Sequence, residues 1–213
     1  IGNSNFGKAV ALAMSSPIGV GNAKHRFPNY EGYAEMACFP LFRREIFSDI
    51  GLYDESFIRN QDDEFCLRLT KSGSKVFISP KVRSYYYVRD NIKSLMIQYY
   101  NYGFWRIAVI KKHKMTISFR QLVPFLFYSI SIILFMFSLI VENLLLGVSL
   151  PLLYLIIIFF YSLSVFLKYN FKIALRFPLV VITLHISYAI GFLFGIFKFG
   201  FKNKFLDSNT SLK

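Results

Sequence analysis

The fold is decided by residues 122–167, LVPFLFYSISIILFMFSLIVENLLLGVSLPLLYLIIIFFYSLSVFL, which contain two apolar runs joined by Glu142 and Asn143. The first run, 122–141, has 20 residues, the second, 144–167, has 24, and neither carries a charge. A helix needs about 20 apolar residues to cross the roughly 30 Å hydrocarbon core of a bilayer. Buried helices of soluble proteins are usually shorter and amphipathic, so the two runs predict transmembrane helices.

A third apolar run, 177–197, has 21 uncharged residues, which is again enough to span a bilayer. It is interrupted by small and polar residues, namely Thr183, His185, Ser187, Gly191 and Gly195. The run predicts either a third span or a segment that is interfacial or re-entrant. Residues 121–213 are therefore expected to form a membrane region with two or three transmembrane helices.

The positive charge of the chain is concentrated beside this membrane region. The 213 residues are 54% hydrophobic and 17% charged, a composition that excludes a disordered, collagen-like or coiled-coil chain. Residues 1–80 hold nine basic and nine acidic residues, whereas residues 81–120 hold nine basic residues and one acid, a net charge of +8. Such a block suits anionic lipid better than nucleic acid, so we expect membrane lipids as partners and no nucleic-acid binding.

Basic residues mark the cytoplasmic side of membrane spans. The loop between the first two runs has only Glu142 and Asn143, and the basic residues on either side of the pair of runs are Lys111, Lys112, Lys114, Arg120, Lys168, Lys172 and Arg176. This pattern predicts a hairpin with both ends, and the N-terminal part of the chain, in the cytoplasm. Lys198, Lys202 and Lys204 would lie outside in a three-span arrangement, so either the rule is weakly broken there or the third segment does not cross.

Residues 1–89 have the pattern of part of an α/β domain. The predicted strands are 33–39, 75–79 and 82–88, and the predicted helices are 42–50 and 61–73, the latter ended by Gly73. Asp90 or Asn91 then begins a helix that runs through about Lys112 and mixes aromatic with basic residues, among them Trp105 and Arg106. This mixture favours a basic amphipathic interface helix and linker over 90–120, with an ordinary packed helix as the alternative.

The densest polar cluster is NQDDEFCLRL, residues 60–69. Asp62, Asp63 and Glu64 occupy a predicted helix start, where acids satisfy free N–H groups and the helix dipole, so the cluster has a purely structural explanation. Glu64 and Arg68 are four residues apart and are expected to pair on one helix face. The same N–H groups favour an ionised carboxylate, so an aspartate there is also suited to accept a proton.

The stretch 42–89 resembles the C-terminal half of the catalytic domain of family-2 glycosyltransferases. The matching motifs are the basic pair Arg43–Arg44, GLYDESF at 51–57 and QDDEFCLR at 61–68. The group resembled is that of the membrane-anchored bacterial enzymes of exopolysaccharide synthesis, the succinoglycan type. The stretches YYYVRDNIKSLMIQYYNYGFWR (85–106) and HISYAIGFLFG (185–195) match this group as well, so the resemblance covers nearly the whole chain.

The resemblance implies roles for individual residues. Asp62 falls on the catalytic base of the family. Gln61 stands where many members have Glu, Asp63 takes a variable position, and both are expected to bind substrate. Arg89 matches a position before the interface helix and is expected to bind acceptor phosphate. The positions expected to give structural support are Glu64, Arg68 and Asp54.

The resemblance also implies a GT-A type α/β fold, whose nucleotide-binding half lies upstream and carries an Asp-x-Asp motif for Mn²⁺ or Mg²⁺. The 213 residues contain no Asp-x-Asp and begin at Ile1, so we expect a C-terminal fragment that is inactive alone and has no metal site of its own. The implied reaction is inverting. Asp62 accepts the proton of an acceptor hydroxyl that attacks the anomeric carbon of a nucleotide-sugar, and the nucleoside diphosphate leaves.

The implied enzyme is a multi-pass protein of the inner (cytoplasmic) membrane with a cytoplasmic catalytic domain and a lipid-linked or glycan acceptor. Processive members carry Q-x-x-R-W, but Gln98 lacks the Arg and Trp at that spacing, which favours addition of one sugar at a time. Arg26, in the basic triplet 24–26, is a candidate for binding the donor diphosphate, with a solvated loop as the alternative. His185 is expected to bond to a neighbouring helix or to contact a lipid-linked acceptor.

Two other classes of function compete with this reading. The first is a non-enzymatic membrane anchor or transporter subunit with a cytosolic domain. A transporter is expected to carry charged or helix-breaking residues in its spans. The first two runs carry no charge, and their prolines are Pro124, at the start of the first run, and Pro151. The second is a nucleic-acid binder, suggested by the formal net charge of +13, and the position of that charge beside the membrane region argues against it.

Overall fold

The computed structural model describes residues 1–115 and 118–200 and is mostly helical. Lys202 and Lys204, and the rest of the predicted membrane region beyond residue 200, lie outside the described residues. The helices are α1 (Asn5–Met14), α2 (Pro17–Val20), α3 (Glu45–Ile50), α4 (Gln61–Lys71), α5 (Ile92–His113), α6 (Val123–Ile140), α7 (Leu144–Lys168), α8 (Phe171–Ala174) and α9 (Phe177–Gly195). Short 3-10 turns cover Lys24–Arg26 and Phe119–Gln121, and a π-helical turn, Ile196–Gly200, follows α9.

α6 and α7 form the predicted hairpin and are exposed over most of their apolar surface. They pack closely where Gly147 faces Ser138, since a Cβ at Gly147 would meet the Ser138 hydroxyl at 2.3 Å. Both helices are long and apolar enough to cross a membrane, as is the segment Phe171–Gly200 that contains α9. The three apolar runs therefore form helices of the length and composition that a membrane span needs.

α9 differs from the hairpin because it is packed against the N-terminal part of the chain. Leu95 and Tyr99 of α5 and Ala9, Val10 and Ala13 of α1 share one buried cluster with the first half of α9. α1 was not predicted from the sequence, although Ser4 caps it by accepting a hydrogen bond from the Gly7 nitrogen at 3.0 Å. This buried cluster joins α1, which precedes the motifs at 43–68, to the membrane region.

The described β structure is a single two-stranded antiparallel sheet, in which β1 (Gly32–Ala34) pairs with β2 (Val76–Ile78). The strand predicted at 33–39 is therefore too long. The strand predicted at 82–88 is wrong, because this segment makes its backbone hydrogen bonds with the first residue instead of with the sheet. The Ile1 nitrogen donates to the Tyr86 carbonyl at 2.6 Å, and the Val88 nitrogen donates to the Ile1 carbonyl at 3.1 Å.

The helices α4 and α5 begin and end close to the predicted residues. Asn91 caps α5 by accepting a hydrogen bond from the Ser94 nitrogen at 2.8 Å, and Gly73 follows α4 with a φ of 86°, a backbone conformation that glycine adopts without strain. The expectation that Trp105 and Arg106 lie among lipid headgroups is wrong. Both are buried, with 8% and 6% of their surface exposed, because this part of α5 packs between α4 and α9.

Candidate active site

The N-terminus of α4 borders a cavity of about 410 Å³ that lies between the predicted catalytic motifs and the membrane helices. Asn60 precedes the helix in the left-handed conformation, with φ 61°, which asparagine tolerates better than most residues. This turn places Asp62 and Asp63 at the cavity wall. Asp62 is exposed in the open part of the cavity, whereas Asp63 is buried with 6% of its surface exposed.

Asp63 forms a buried ion pair with Arg106 of α5. The distance from Arg106 Nη2 to Asp63 Oδ2 is 2.6 Å, and both side chains are more than nine-tenths buried. Burial disfavours the Arg106 cation, but the Asp63 carboxylate outweighs that effect and the pKa of Arg106 is raised. The other oxygen, Asp63 Oδ1, and Arg106 Nε and Nη1 are buried without a hydrogen-bond partner among the described residues, so they remain able to bind a ligand or water.

The surroundings of Asp62 raise the pKa of its carboxyl group. Although its side chain is open to the cavity, the protein around the carboxyl group removes part of its hydration, and this is the larger cause. The adjacent Asp63 carboxylate adds to it, while Arg106 acts in the opposite direction. The N–H groups at the helix start were expected to favour the ionised carboxylate, and they do act to lower its pKa. The loss of hydration and the second acid outweigh them, so the net direction of the shift is upward.

Opposite the acids, the cavity wall is basic. Arg26 and Arg120 line it together with His25. Burial, with Arg26, Arg120 and Arg106 nearby, lowers the pKa of His25 to about 3, so its ring is neutral at physiological pH. Arg120 pairs with Glu35 and donates to the Asn22 carbonyl at 3.1 Å. Within the described part of the chain, Arg26 has no acidic partner at ion-pair distance.

Part of the cavity lining is apolar and comes from the membrane helices. This part includes Val123, Pro124, Phe127 and Leu184. His185 of α9 forms a hydrogen bond with a neighbouring helix, because its Nδ1 lies 2.8 Å from the Tyr154 hydroxyl of α7. This is the first of the two alternatives expected for His185. One cavity is thus lined both by charged residues, Asp62 among them, and by apolar residues of the membrane helices.

Two predicted substrate-binding residues lie away from this cavity. Gln61 and Arg89 are exposed and do not line it, whereas Asp62, Asp63 and Arg26 do. Sequence reasoning missed Arg106, Arg120 and His25 as cavity residues. The sequence signal for Arg106 is a single cation within the apolar stretch FWRIAVI (104–110). The same pattern is typical of a helix at the membrane surface, which is the interpretation given above.

The residues expected to give structural support form a second polar cluster behind α4. Glu64 is fully buried and accepts from Arg68 Nε at 3.0 Å, so the predicted pairing of these two residues is confirmed. Lys112 Nζ lies 2.6 Å from Glu64 Oε1 and 2.6 Å from Asp54 Oδ2, and His113 Nε2 lies 2.9 Å from Glu64 Oε1. Burial alone would raise the pKa of Glu64, but Lys112 and His113 outweigh it and lower that pKa. The cluster fixes α4 to the end of α5.

A divalent metal does not fit the described residues. Over 1–115 and 118–200, no group of three or more His, Cys, Asp and Glu side chains is arranged to hold a metal ion. Of the described residues that line the cavity, only Asp62 and Asp63 carry carboxylates, and one oxygen of Asp63 is already taken by Arg106.

Comparison with curated proteins gives two clear similarities. Over 124 residues, 58% of this chain, it is 38% identical to the succinoglycan biosynthesis protein ExoA of Rhizobium meliloti strain 1021. The chain resembles the succinoglycan-type glycosyltransferases. Over 147 residues, 69% of the chain, it is also 29% identical to a Methanococcus voltae protein named dolichyl N-acetyl-alpha-D-glucosaminyl phosphate 3-beta-D-2,3-diacetamido-2,3-dideoxy-beta-D-glucuronosyltransferase.

These similarities confirm the relationship to family-2 glycosyltransferases of the exopolysaccharide type. The aligned parts make up 38% and 42% of the two relatives, so the chain spans about two fifths of their length. No family model matches the chain, and no solved structure matches it.

Proposed function

We propose that this chain carries the catalytic base and the acceptor site of an inverting glycosyltransferase that acts at a membrane surface. The observation that carries the proposal is the position of Asp62, in a cavity that is also lined by residues of α6, α7 and α9. The similarity to the two curated relatives supports sugar transfer as the class of reaction.

In this proposal Asp62 accepts the proton of an acceptor hydroxyl while that oxygen attacks the anomeric carbon of a nucleotide-sugar. The bond from that carbon to the diphosphate oxygen breaks on the opposite face, and the nucleoside diphosphate leaves with the electron pair. A carboxylate whose pKa is raised is a stronger base than a free aspartate, provided that it is ionised. Arg106 holds Asp63 and so fixes the start of the helix that presents Asp62.

The acceptor in this proposal is linked to a lipid. A soluble glycan would need a polar cleft, whereas the apolar wall at Val123, Phe127 and Leu184 suits a hydrocarbon chain. In the proposal Arg26 and Arg120, which line the same cavity, bind the phosphate that joins sugar to lipid. The acceptor hydroxyl then reaches Asp62 from the membrane side.

The proposal assigns the donor site to a GT-A type nucleotide-binding half outside these residues. That half would also hold the Mn²⁺ or Mg²⁺ ion. The proposal favours transfer of a single sugar, because Gln98 lacks the Arg and Trp of the processive Q-x-x-R-W motif. Its Nε2 instead donates hydrogen bonds within the fold, to the hydroxyls of Tyr86 at 2.8 Å and Tyr102 at 2.9 Å. The basic residues beside α6 and α7 support a cytoplasmic catalytic side and an inner-membrane location.

The proposal is tested with membranes that contain the full-length protein. They are incubated separately with radiolabelled UDP-glucose, UDP-galactose, UDP-N-acetylglucosamine and GDP-mannose, and the lipids are then extracted into chloroform–methanol. We expect one donor to label a lipid product, and membranes without the protein to give none. Label that enters only water-soluble glycan would contradict the lipid-linked acceptor, and a non-enzymatic membrane anchor would transfer no label.

A further inference from the structure

The first end of α9 lies on the side of the membrane hairpin where α7 ends. α9 begins at Phe177, which is fully buried in a cluster with Val165 of α7 and with α1. The basic residues Lys168, Lys172 and Arg176 lie in and around the short connection between α7 and α9. The N-terminus of α9 is therefore at the basic end of the hairpin, away from the Glu142 loop.

The second end of α9 lies against the helix that supports the candidate active site. Lys111 Nζ of α5 donates to the Gly200 carbonyl at 3.0 Å. The ring of Phe199 lies 5.6 Å from the ring of Trp105, which in turn lies 6.2 Å from the ring of Phe57 in the loop before α4. Both ends of α9 are thus held by the part of the chain that carries Asp62.

α9 runs parallel to α5 and in close contact with it along its second half. A Cβ at Gly191 would meet the Tyr100 carbonyl oxygen at 2.0 Å, and one at Gly195 would meet the Phe104 carbonyl oxygen at 2.6 Å. α5 carries four cations. Arg106 and Lys112 pair with acids of α4, Lys93 lies near the start of α5, and Lys111 lies near its end. A charge at the centre of a bilayer costs several kcal/mol, so α5, and α9 beside it, fit poorly as membrane spans.

The contacts of α9 with the hairpin lie near the start of α6 and near the middle of α7, away from the Glu142 loop. The ring of Phe192 lies 4.8 Å from that of Phe125, two residues after α6 begins. His185 meets Tyr154, which faces Phe127 at a ring distance of 4.9 Å. α9 therefore follows the basic side of the hairpin instead of crossing beside it to Glu142.

We propose that α9 lies along one membrane surface, with both ends on the catalytic side, and that only α6 and α7 cross the bilayer. Its exposed face is an apolar stripe that would contact the acyl and headgroup boundary of that leaflet; the stripe is formed by Leu179, Ile186, Ile190, Leu193 and Phe197. The stripe continues the exposed apolar surface of the hairpin. This placement also puts Lys198 on the basic side, as the distribution of positive charge requires.

The test uses single cysteines in the full-length protein and a maleimide that does not cross membranes. In a Cys38→Ala/Cys66→Ala background, Lys198→Cys reports the end of α9, Lys172→Cys the basic side and Glu142→Cys the hairpin loop; all three positions are exposed. If this background does not accumulate, Cys66 is kept, because it is fully buried. Labelling is compared in sealed right-side-out and inside-out vesicles.

We expect Lys198→Cys and Lys172→Cys to be labelled in vesicles of one orientation and not in those of the other. Glu142→Cys should show the reverse pattern. Labelling of Lys198→Cys together with Glu142→Cys would overturn the proposal, and so would its protection in both preparations, since the proposal places Lys198 at an aqueous surface. The outcome does not depend on whether Asp62 is a base, so a failure of the proposed function would be seen separately.

Discussion

Arg106 Nη2 lies 2.6 Å from Asp63 Oδ2, and this buried pair joins α4, which presents Asp62, to α5, which packs on α9. The pair connects the candidate catalytic residue to the membrane region through two side chains. It also leaves polar atoms of both residues unpartnered at the cavity, so the contact fixes the helix without filling the site.

Removing one member of this pair is expected to be costly. Arg106→Gln leaves the Asp63 carboxylate buried without a cation, and breaking a buried ion pair typically costs about 3–5 kcal/mol. We expect a lower thermal stability of the detergent-solubilised full-length protein. The double variant Asp63→Asn/Arg106→Gln removes both charges and should regain part of the loss. If Arg106→Gln unfolds at the wild-type temperature, the pair does not stabilise the fold.

Arg106 is also expected to act on the pH dependence of transfer through Asp62. The pKa of Asp62 is raised, so Asp62 is protonated at a higher pH than an ordinary aspartate. As the solution is acidified, activity should therefore begin to fall at a higher pH than it would with an ordinary aspartate as the base. Arg106 lowers this pKa, so Arg106→Gln should move the acidic limb of kcat/KM to still higher pH. An unchanged acidic limb in an Arg106→Gln enzyme that still folds would contradict this role.

Glu64 is expected to stabilise the protein in a pH-dependent way. Its pKa is lowered in the folded state, so its contribution is present above the ordinary glutamate pKa of about 4.3 and is lost as the pH falls through the folded value. Glu64→Gln should lose about 3–5 kcal/mol at neutral pH, because Lys112 and Arg68 lose their buried partner. Thermal stability of the two proteins should differ from pH 7 down to about pH 4.3 and converge only at lower pH, as Glu64 is protonated in the folded state.

The control for that comparison is Glu55→Gln, since Glu55 is an exposed acid in the loop before α4. It should leave the pH profile of stability unchanged. An equal effect of the two substitutions would mean that the Glu64 cluster contributes no more than surface charge.

The contact between α5 and α9 depends on glycines. A Cβ at Gly103 would meet the Tyr188 carbonyl oxygen at 2.1 Å, whereas one at Gly200 meets its nearest neighbour, a side-chain atom of Ile196, at 3.4 Å. Gly103→Ala should therefore force the two helices apart and cost about 1–3 kcal/mol or more, while Gly200→Ala should be tolerated. Thermal stability of the two variants distinguishes them, and equal stability would show that the close packing is not required.

Much of the fold follows from the sequence because its signals are local. The apolar runs predict α6 and α7 by length alone, and acids, Asn91 and Gly73 mark the ends of α4 and α5. The segment 82–88 is not the predicted strand. Its richness in aromatic residues is typical of a strand, whereas its hydrogen-bond partner, Ile1, is remote in sequence.

The candidate site was predictable only where a motif carried it. Asp62 and Asp63 belong to such a motif, and Arg26 stands in a conspicuous basic triplet. Arg106 and Arg120 are brought to the cavity from distant segments by packing, which no local pattern reports. The raised pKa of Asp62 has the same origin, because burial and the neighbouring carboxylate depend on the tertiary structure.

The most direct test of the account compares Asp62→Asn with Asp49→Asn in the full-length protein, since Asp49 is an exposed aspartate on α3 outside the cavity. The rate of sugar transfer into extracted lipid is measured at matched amounts of folded enzyme. Loss of a general base typically costs about 10²–10⁴ in rate. We expect Asp62→Asn to lose activity by that factor while it keeps its thermal stability, and Asp49→Asn to transfer at the wild-type rate. An Asp62→Asn enzyme as active as Asp49→Asn would contradict the assignment of Asp62 as the base.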